Sequence, residues 1–221
     1  MSKHKITWKS PALGGREITF VRYGVSGTPL LLFPTAGGDA EEPERFHLIT
    51  AIGDFLKDLR LKVYVVDSIA GQAWLKECKT LEQAAKVQNQ FDQCVVREIV
   101  PAIQRDCGGQ TGLIWTAGAS IGAFNSLAAI CRHPDLFEKA ICLSGTYNMN
   151  RFLEGRMTRD YYESSPIDFV PNLWRVLATN ADHLELVWSR LKAIMKPGKL
   201  DLLTKEIIAL AVSATNGCAY C

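Results

Sequence analysis

No stretch of this sequence approaches the roughly 18 consecutive apolar residues needed to cross a membrane. Charge of one sign is not in excess either. The net charge is +2, and the lysines and arginines are spread rather than clustered, which gives no support to a nucleic-acid or membrane-surface partner. The opening residues, Met1 to Lys5, are charged but have no apolar run behind them, so they do not read as a signal peptide. A soluble, cytoplasmic protein is expected. There is no internal repeat and no low-complexity segment. Histidine is scarce, with four in 221 residues, and that scarcity limits which catalytic bases the chain can supply. What remains is ordinary for a globular protein: 48% apolar and 22% charged residues, enough for one sizeable domain or one domain with a small appendage.

The seven cysteines are an odd number for a chain that looks intracellular. Cys78, Cys94, Cys107, Cys131 and Cys142 are scattered, mostly among apolar neighbours, and read as buried free thiols. Cys218 and Cys221 form a separate motif.

Through the first two thirds, strand and helix patterns alternate. Strands are expected at Arg16–Tyr23, which alternates polar and apolar residues, and at the short apolar runs Pro29–Phe33, Lys62–Asp67, Thr111–Ala117 and Lys139–Leu143. Helices are expected at Phe46–Leu59, Leu81–Ile103 and Ile121–Cys131. This order predicts an α/β fold, a mostly parallel sheet with helices on both faces. Beyond about Asp168 only helical patterns remain, the last two separated by Lys196-Pro197-Gly198. The reading is an α/β domain over residues 1–168 followed by an all-helical segment over 169–221.

Gly118-Ala119-Ser120-Ile121-Gly122 is a G-x-S-x-G that directly follows an apolar strand and opens a helix. That is the place of a nucleophile elbow, where a sharp turn presents the serine hydroxyl and small neighbours avoid crowding it. The N–H of Ile121, at the helix N-terminus, would face an oxyanion formed at Ser120. A second donor belongs on the loop after an earlier strand, here Pro34 to Gly38, with Thr35 or Ala36 as the candidate. The competing reading is a tight turn whose serine only caps the helix.

With these motifs the chain resembles the esterase D-like branch of the α/β-hydrolases, the "Putative esterase" family. The resemblance runs over about residues 18–173. It is carried by LLLFPTAGG, KVYVVDSIAG, GASIGAF, LSGTYNM and YYESSPIDFVPNL, and it implies hydrolysis of small carboxylic esters through an acyl-serine. Such chemistry needs a histidine and a carboxylate, which in this fold follow the serine on late strands. After Ser120 only His133 and His183 occur. His133 lies thirteen residues along the elbow helix, about 20 Å away, out of reach. His183, with Asp182 directly before it, is the remaining candidate pair. The family's late strands are not evident, so an incomplete α/β-hydrolase is expected, with a weak serine if no base is present.

Cys218-Ala219-Tyr220-Cys221 lacks a second pair or a nearby histidine for zinc, so a redox pair is the better reading. Here residues 169–221 are similar to the alkylhydroperoxidase D-like (carboxymuconolactone decarboxylase) family, on VPNLWRVLATNADHLELVWSRLKAI and GKLDLLTKEIIALAVSATNGCAYC. The resemblance implies a thiol peroxidase relay in which Glu206 matches the family's glutamate and Cys218 and Cys221 its cysteines. The family's histidine, four residues beyond the second cysteine, has no counterpart in this sequence. Complete members form homo-oligomers.

Three readings therefore stand: a serine ester hydrolase on a small-molecule ester, a thiol-dependent peroxidase using a peroxide and a thiol reductant, and a catalytically silent chimeric or interaction protein. None calls for a cofactor or a metal.

Overall fold

The computed structural model describes residues 2–77, 80–109, 112–147 and 159–166, with isolated positions beyond. By compactness the chain divides into residues 1–166 and 167–221. Nearly all the described residues lie in the first unit. The expected helical segment after residue 168 lies outside the described residues, apart from those isolated positions.

The first unit is a six-stranded sheet flanked by helices. The strands are β1 (Lys3–Ser10), β2 (Arg16–Tyr23), β3 (Thr28–Phe33), β4 (Leu61–Val66), β5 (Ile114–Ala119) and β6 (Phe137–Leu143), in the order β1-β2-β4-β3-β5-β6. The pairings β4–β3, β3–β5 and β5–β6 are parallel, while β1–β2 and β2–β4 are antiparallel. The α/β class expected from the sequence is the class observed, with an antiparallel hairpin on one flank of the parallel strands. β1 was not read as a strand from the sequence, because its residues are exposed almost throughout and only Ile6 and Trp8 alternate with polar neighbours.

β3 and β4 are buried along nearly their whole length because both faces of the sheet are covered. On one face Leu31, Phe33, Tyr64 and Val66 pack with Phe91, Val95, Ile99 and Ile103. On the other, Leu30, Leu32, Val63 and Val65 pack with Ile49 and Leu56. Period-two side chains on a doubly covered strand give the continuous apolar runs seen in the sequence.

Two expected helices are built differently. The segment expected as one helix over 46–59 begins earlier and breaks into α1 (Glu42–Arg45), α2 (Leu48–Ala51) and α3 (Gly53–Lys57). His47 sits at φ 61° between the first two, and a left-handed residue ends a right-handed helix. After α4 (Ile69–Gln72) and a π-helical stretch at Ala73–Glu77, the long helix expected over 81–103 runs as α5 (Leu81–Cys94), a π-helical turn (Val95–Ile99) and α6 (Val100–Asp106). Pro101 lies at the start of α6 and has no N–H to donate. A wider turn just before it lets the helix continue past the missing bond. α7 (Ile121–Arg132) follows β5 directly, and α8 (Arg159–Ser164) packs on α5, with Asn89 Nδ2 donating to Asp160 Oδ1 at 3.1 Å and Trp74 edge-on to Tyr161.

Candidate active site

At the carboxyl end of β5, Ser120 is held at φ 57°, ψ −118°. A non-glycine residue there is strained by about 1–3 kcal/mol and needs surroundings that hold it. The Ser120 N–H donates to Leu143 O at 3.0 Å, and its carbonyl accepts from Thr146 N–H at 3.2 Å and from Ala123 N–H at 3.2 Å. The glycines on either side permit the close approach. A β-carbon on Gly118 would stand 2.8 Å from Gly122 Cα, and one on Gly122 would stand 2.8 Å from Pro34 O and closer still to Phe33 O.

The side chain of Ser120 makes no capping bond to α7. Its hydroxyl lies 3.5 Å from Thr146 Oγ1, at the outer limit of a hydrogen bond. Ser120 is thus a half-buried serine on a strained turn whose hydroxyl makes no bond to the helix it precedes. The N–H of Ile121 is the first of α7 and has no intrahelical acceptor.

The parallel register of β3 and β5 pairs Phe33 with Gly118. The chain leaving β3 therefore passes beside the elbow, with the carbonyls of Phe33 and Pro34 against Gly122. The two candidate donors are not equivalent. Thr35 N–H donates to Glu42 Oε2 at 2.8 Å, and Thr35 Oγ1 donates to Glu42 Oε1 at 2.6 Å. The Thr35 N–H is thus committed, whereas the Ala36 N–H has no acceptor among the described residues. Two further bonds pin the loop at Gly38, whose carbonyl accepts from Ser68 N–H at 3.3 Å and from Gln72 Nε2 at 3.2 Å. Asp67, the first residue past β4, accepts from Thr19 N–H and Ala40 N–H at 2.7 and 2.9 Å, so its carboxylate braces the same region.

His133 ends α7, and its Nε2 lies 3.1 Å from each oxygen of Asp92. Twelve helical residues separate it from the elbow, about 18 Å of rise, and it takes no part in the site. His4 lies in β1, and the exposed His47 precedes α2. Asp182, His183, Glu206, Cys218 and Cys221 lie outside the described residues. Sequence reasoning missed Glu42 and Thr146. Glu42 stands in an acidic run that reads as a solvated face, and only the fold carries its side chain back to Thr35. Thr146 had the signal of its place in LSGTYNM, just past β6.

A cleft of about 630 Å³ lies elsewhere. It is lined by Thr28, Pro29, Lys62, Trp115 and Glu138, at the amino ends of the strands, together with Asp106. Ser120 is at the carboxyl ends, where open α/β sheets carry their ligands. Among the described residues no group of side chains is arranged to hold a metal, and no helix is long and apolar enough to cross a membrane.

The sequence matches the "Putative esterase" family over residues 63–197. The chain belongs to this esterase family. The match takes in β4, the elbow and β6, and the family's general chemistry is ester hydrolysis. Residues 181–221 match the carboxymuconolactone decarboxylase family, so the chain joins segments of two families. No curated protein matches it. Among solved structures, the S-formylglutathione hydrolase of Staphylococcus aureus is similar with 14% identity over 97% of this chain and 96% of its own, at a TM-score of 0.50. The S-formylglutathione hydrolase of Agrobacterium tumefaciens is similar with 14% identity over 77% and 70%, at 0.54. A ferulic acid esterase is similar with 15% identity over 76% and 70%, at 0.57. These likenesses show the α/β-hydrolase fold.

Proposed function

We propose that the protein is a serine ester hydrolase that cleaves small carboxylic esters through an acyl intermediate on Ser120. The observation that carries this is the strained backbone of Ser120, which costs stability and leaves the hydroxyl free of the helix it precedes. In the reaction the Ser120 oxygen adds to the ester carbonyl. The negative charge moves to the carbonyl oxygen, where the N–H groups of Ile121 and Ala36 receive it, and the alcohol departs as the tetrahedral intermediate collapses. Water then releases the acid. Ser120 must lose its proton to a base. His183 is the candidate base, and Asp182 the candidate carboxylate.

Labelling of the folded protein with a fluorophosphonate, followed by peptide mapping, tests the proposal. Attachment at Ser120, lost in Ser120→Ala and on denaturation, is expected, and His183→Ala and Asp182→Asn should slow it. A folded sample that takes no label overturns it.

A second reading rests on the match of residues 181–221 to the carboxymuconolactone decarboxylase family. One thiolate of Cys218 and Cys221 would attack a peroxide, releasing the alcohol and forming a sulfenic acid. The other would displace water to give a disulfide, which an external thiol reduces, while Glu206 relays the proton. Peroxide-dependent thiol oxidation lost in Cys221→Ser supports it. Folding with neither activity would leave a catalytically silent chimera.

A further inference from the structure

We infer that Glu42 is a positioning residue for the Ser120 site: its carboxylate orients the loop after β3 so that the Ala36 N–H, and not that of Thr35, is the second oxyanion donor. The inference rests on the serine-hydrolase reading and extends it to a residue that does not touch the substrate.

Glu42 is buried, at 8% exposure. A carboxylate is seldom placed so deep unless its oxygens are satisfied. Here both are taken by one residue, the N–H and the hydroxyl of Thr35, at 2.8 and 2.6 Å. This two-point hold fixes the peptide plane between Pro34 and Thr35 with its N–H turned toward Glu42. The next plane is fixed by a different bond, because Thr35 O accepts from Gly38 N–H at 3.0 Å. In a trans peptide the N–H points opposite to the carbonyl. With Thr35 O directed into the turn, the Ala36 N–H is directed out of it, and it is the amide left without an acceptor.

Gly38 belongs to the same arrangement. A β-carbon there would stand 2.6 Å from the Glu42 carboxylate, so a side chain at position 38 would push the carboxylate away from where it meets Thr35. The acidic side chain, the threonine with two donors and the glycine are thus one device, spread over eight residues of sequence and closed by the start of α1.

The test is the second-order rate of fluorophosphonate labelling at Ser120, together with kcat and KM on a p-nitrophenyl ester, in Glu42→Ala, Glu42→Gln and Gly38→Ala, each checked for folding by circular dichroism. Loss of one oxyanion donor costs about 100- to 1,000-fold, and a misdirected one less. Glu42→Ala and Gly38→Ala should therefore label about 10- to 100-fold more slowly, with the loss in kcat and little change in KM. Glu42→Gln should stay within about threefold of the parent, because its amide can accept from the Thr35 N–H and donate to the Thr35 hydroxyl. Should folded Glu42→Ala label as fast as the parent, or should Glu42→Gln fall as far as Glu42→Ala, the inference is overturned while the hydrolase reading stands. A folded parent that takes no label overturns that reading first, and the inference with it.

Discussion

Between Gly122 and the carbonyl oxygen of Phe33 there is no room for a β-carbon. The elbow is seated directly on the end of β3, and the spacing of the two is held by the register that pairs Phe33 with Gly118. The same contact sets how far the loop after β3 stands from the elbow.

Gly122→Ala should therefore destabilise the protein and remove the site together. Forcing a methyl group against fixed backbone costs about 1–3 kcal/mol, and Gly118→Ala, which would meet Gly122 itself, should cost a similar amount. Urea denaturation of both variants beside fluorophosphonate labelling checks this. Parent-like stability with parent-like labelling would contradict the packing described.

Ser120→Gly should be more stable than Ser120→Ala. Both lose the hydroxyl, but only glycine takes φ 57°, ψ −118° without a steric penalty. The difference should be about 1 kcal/mol, or a few degrees in Tm, read by thermal melts of the two variants. Equal melting temperatures would mean that the turn carries no strain.

The sheet was legible because its strands are covered on both faces, which writes Pro29–Phe33 and Lys62–Val66 as unbroken apolar runs. The elbow was legible because sterics allow so few residues at positions 118 and 122. Other features were hidden for physical reasons. β1 is a mostly exposed strand at the sheet's flank, and its apolar alternation is confined to Ile6 and Trp8. The break at His47 depends on one left-handed backbone angle that histidine does not announce. Glu42 is the clearest case, since burial of a glutamate is a property of the fold around it and its neighbours Glu41 and Glu44 are ordinary surface partners of Lys3. The bound on the sequence reading was the base for Ser120, where residue type alone left only His183.

Cys94 should resist alkylation in the native protein. Burial pushes its thiol up to about 11, and the reactive form is the thiolate. Iodoacetamide at about pH 8 should modify it only as fast as the protein unfolds, followed by mass spectrometry of digested samples. Modification on the time scale of a free thiol would show that the α5 face of the sheet opens readily.

Glu98 should make stability depend on pH through the link between β1 and the π-helical turn before α6. Its carboxylate accepts from Trp8 Nε1 at 2.7 Å, from Ser10 Oγ at 2.7 Å and from Ala12 N–H at 3.0 Å. Partial burial raises its pKa, and these donors outweigh that and hold it below the ordinary 4.5. A carboxyl group whose folded pKa is depressed contributes stability that is fully present above its unfolded pKa and is lost as pH falls through the folded value. Glu98→Gln should therefore cost about 1 kcal/mol near pH 7, since a neutral amide offers fewer and weaker acceptors to the same three donors. The parent and the variant should begin to converge as pH falls below about 4.5, where the unfolded chain takes up its proton, and should meet only once the pH has passed through the lower folded value. Urea midpoints of the two proteins between about pH 7 and pH 3 measure this directly. A gap that stays constant across that range would assign the loss to packing rather than to charge.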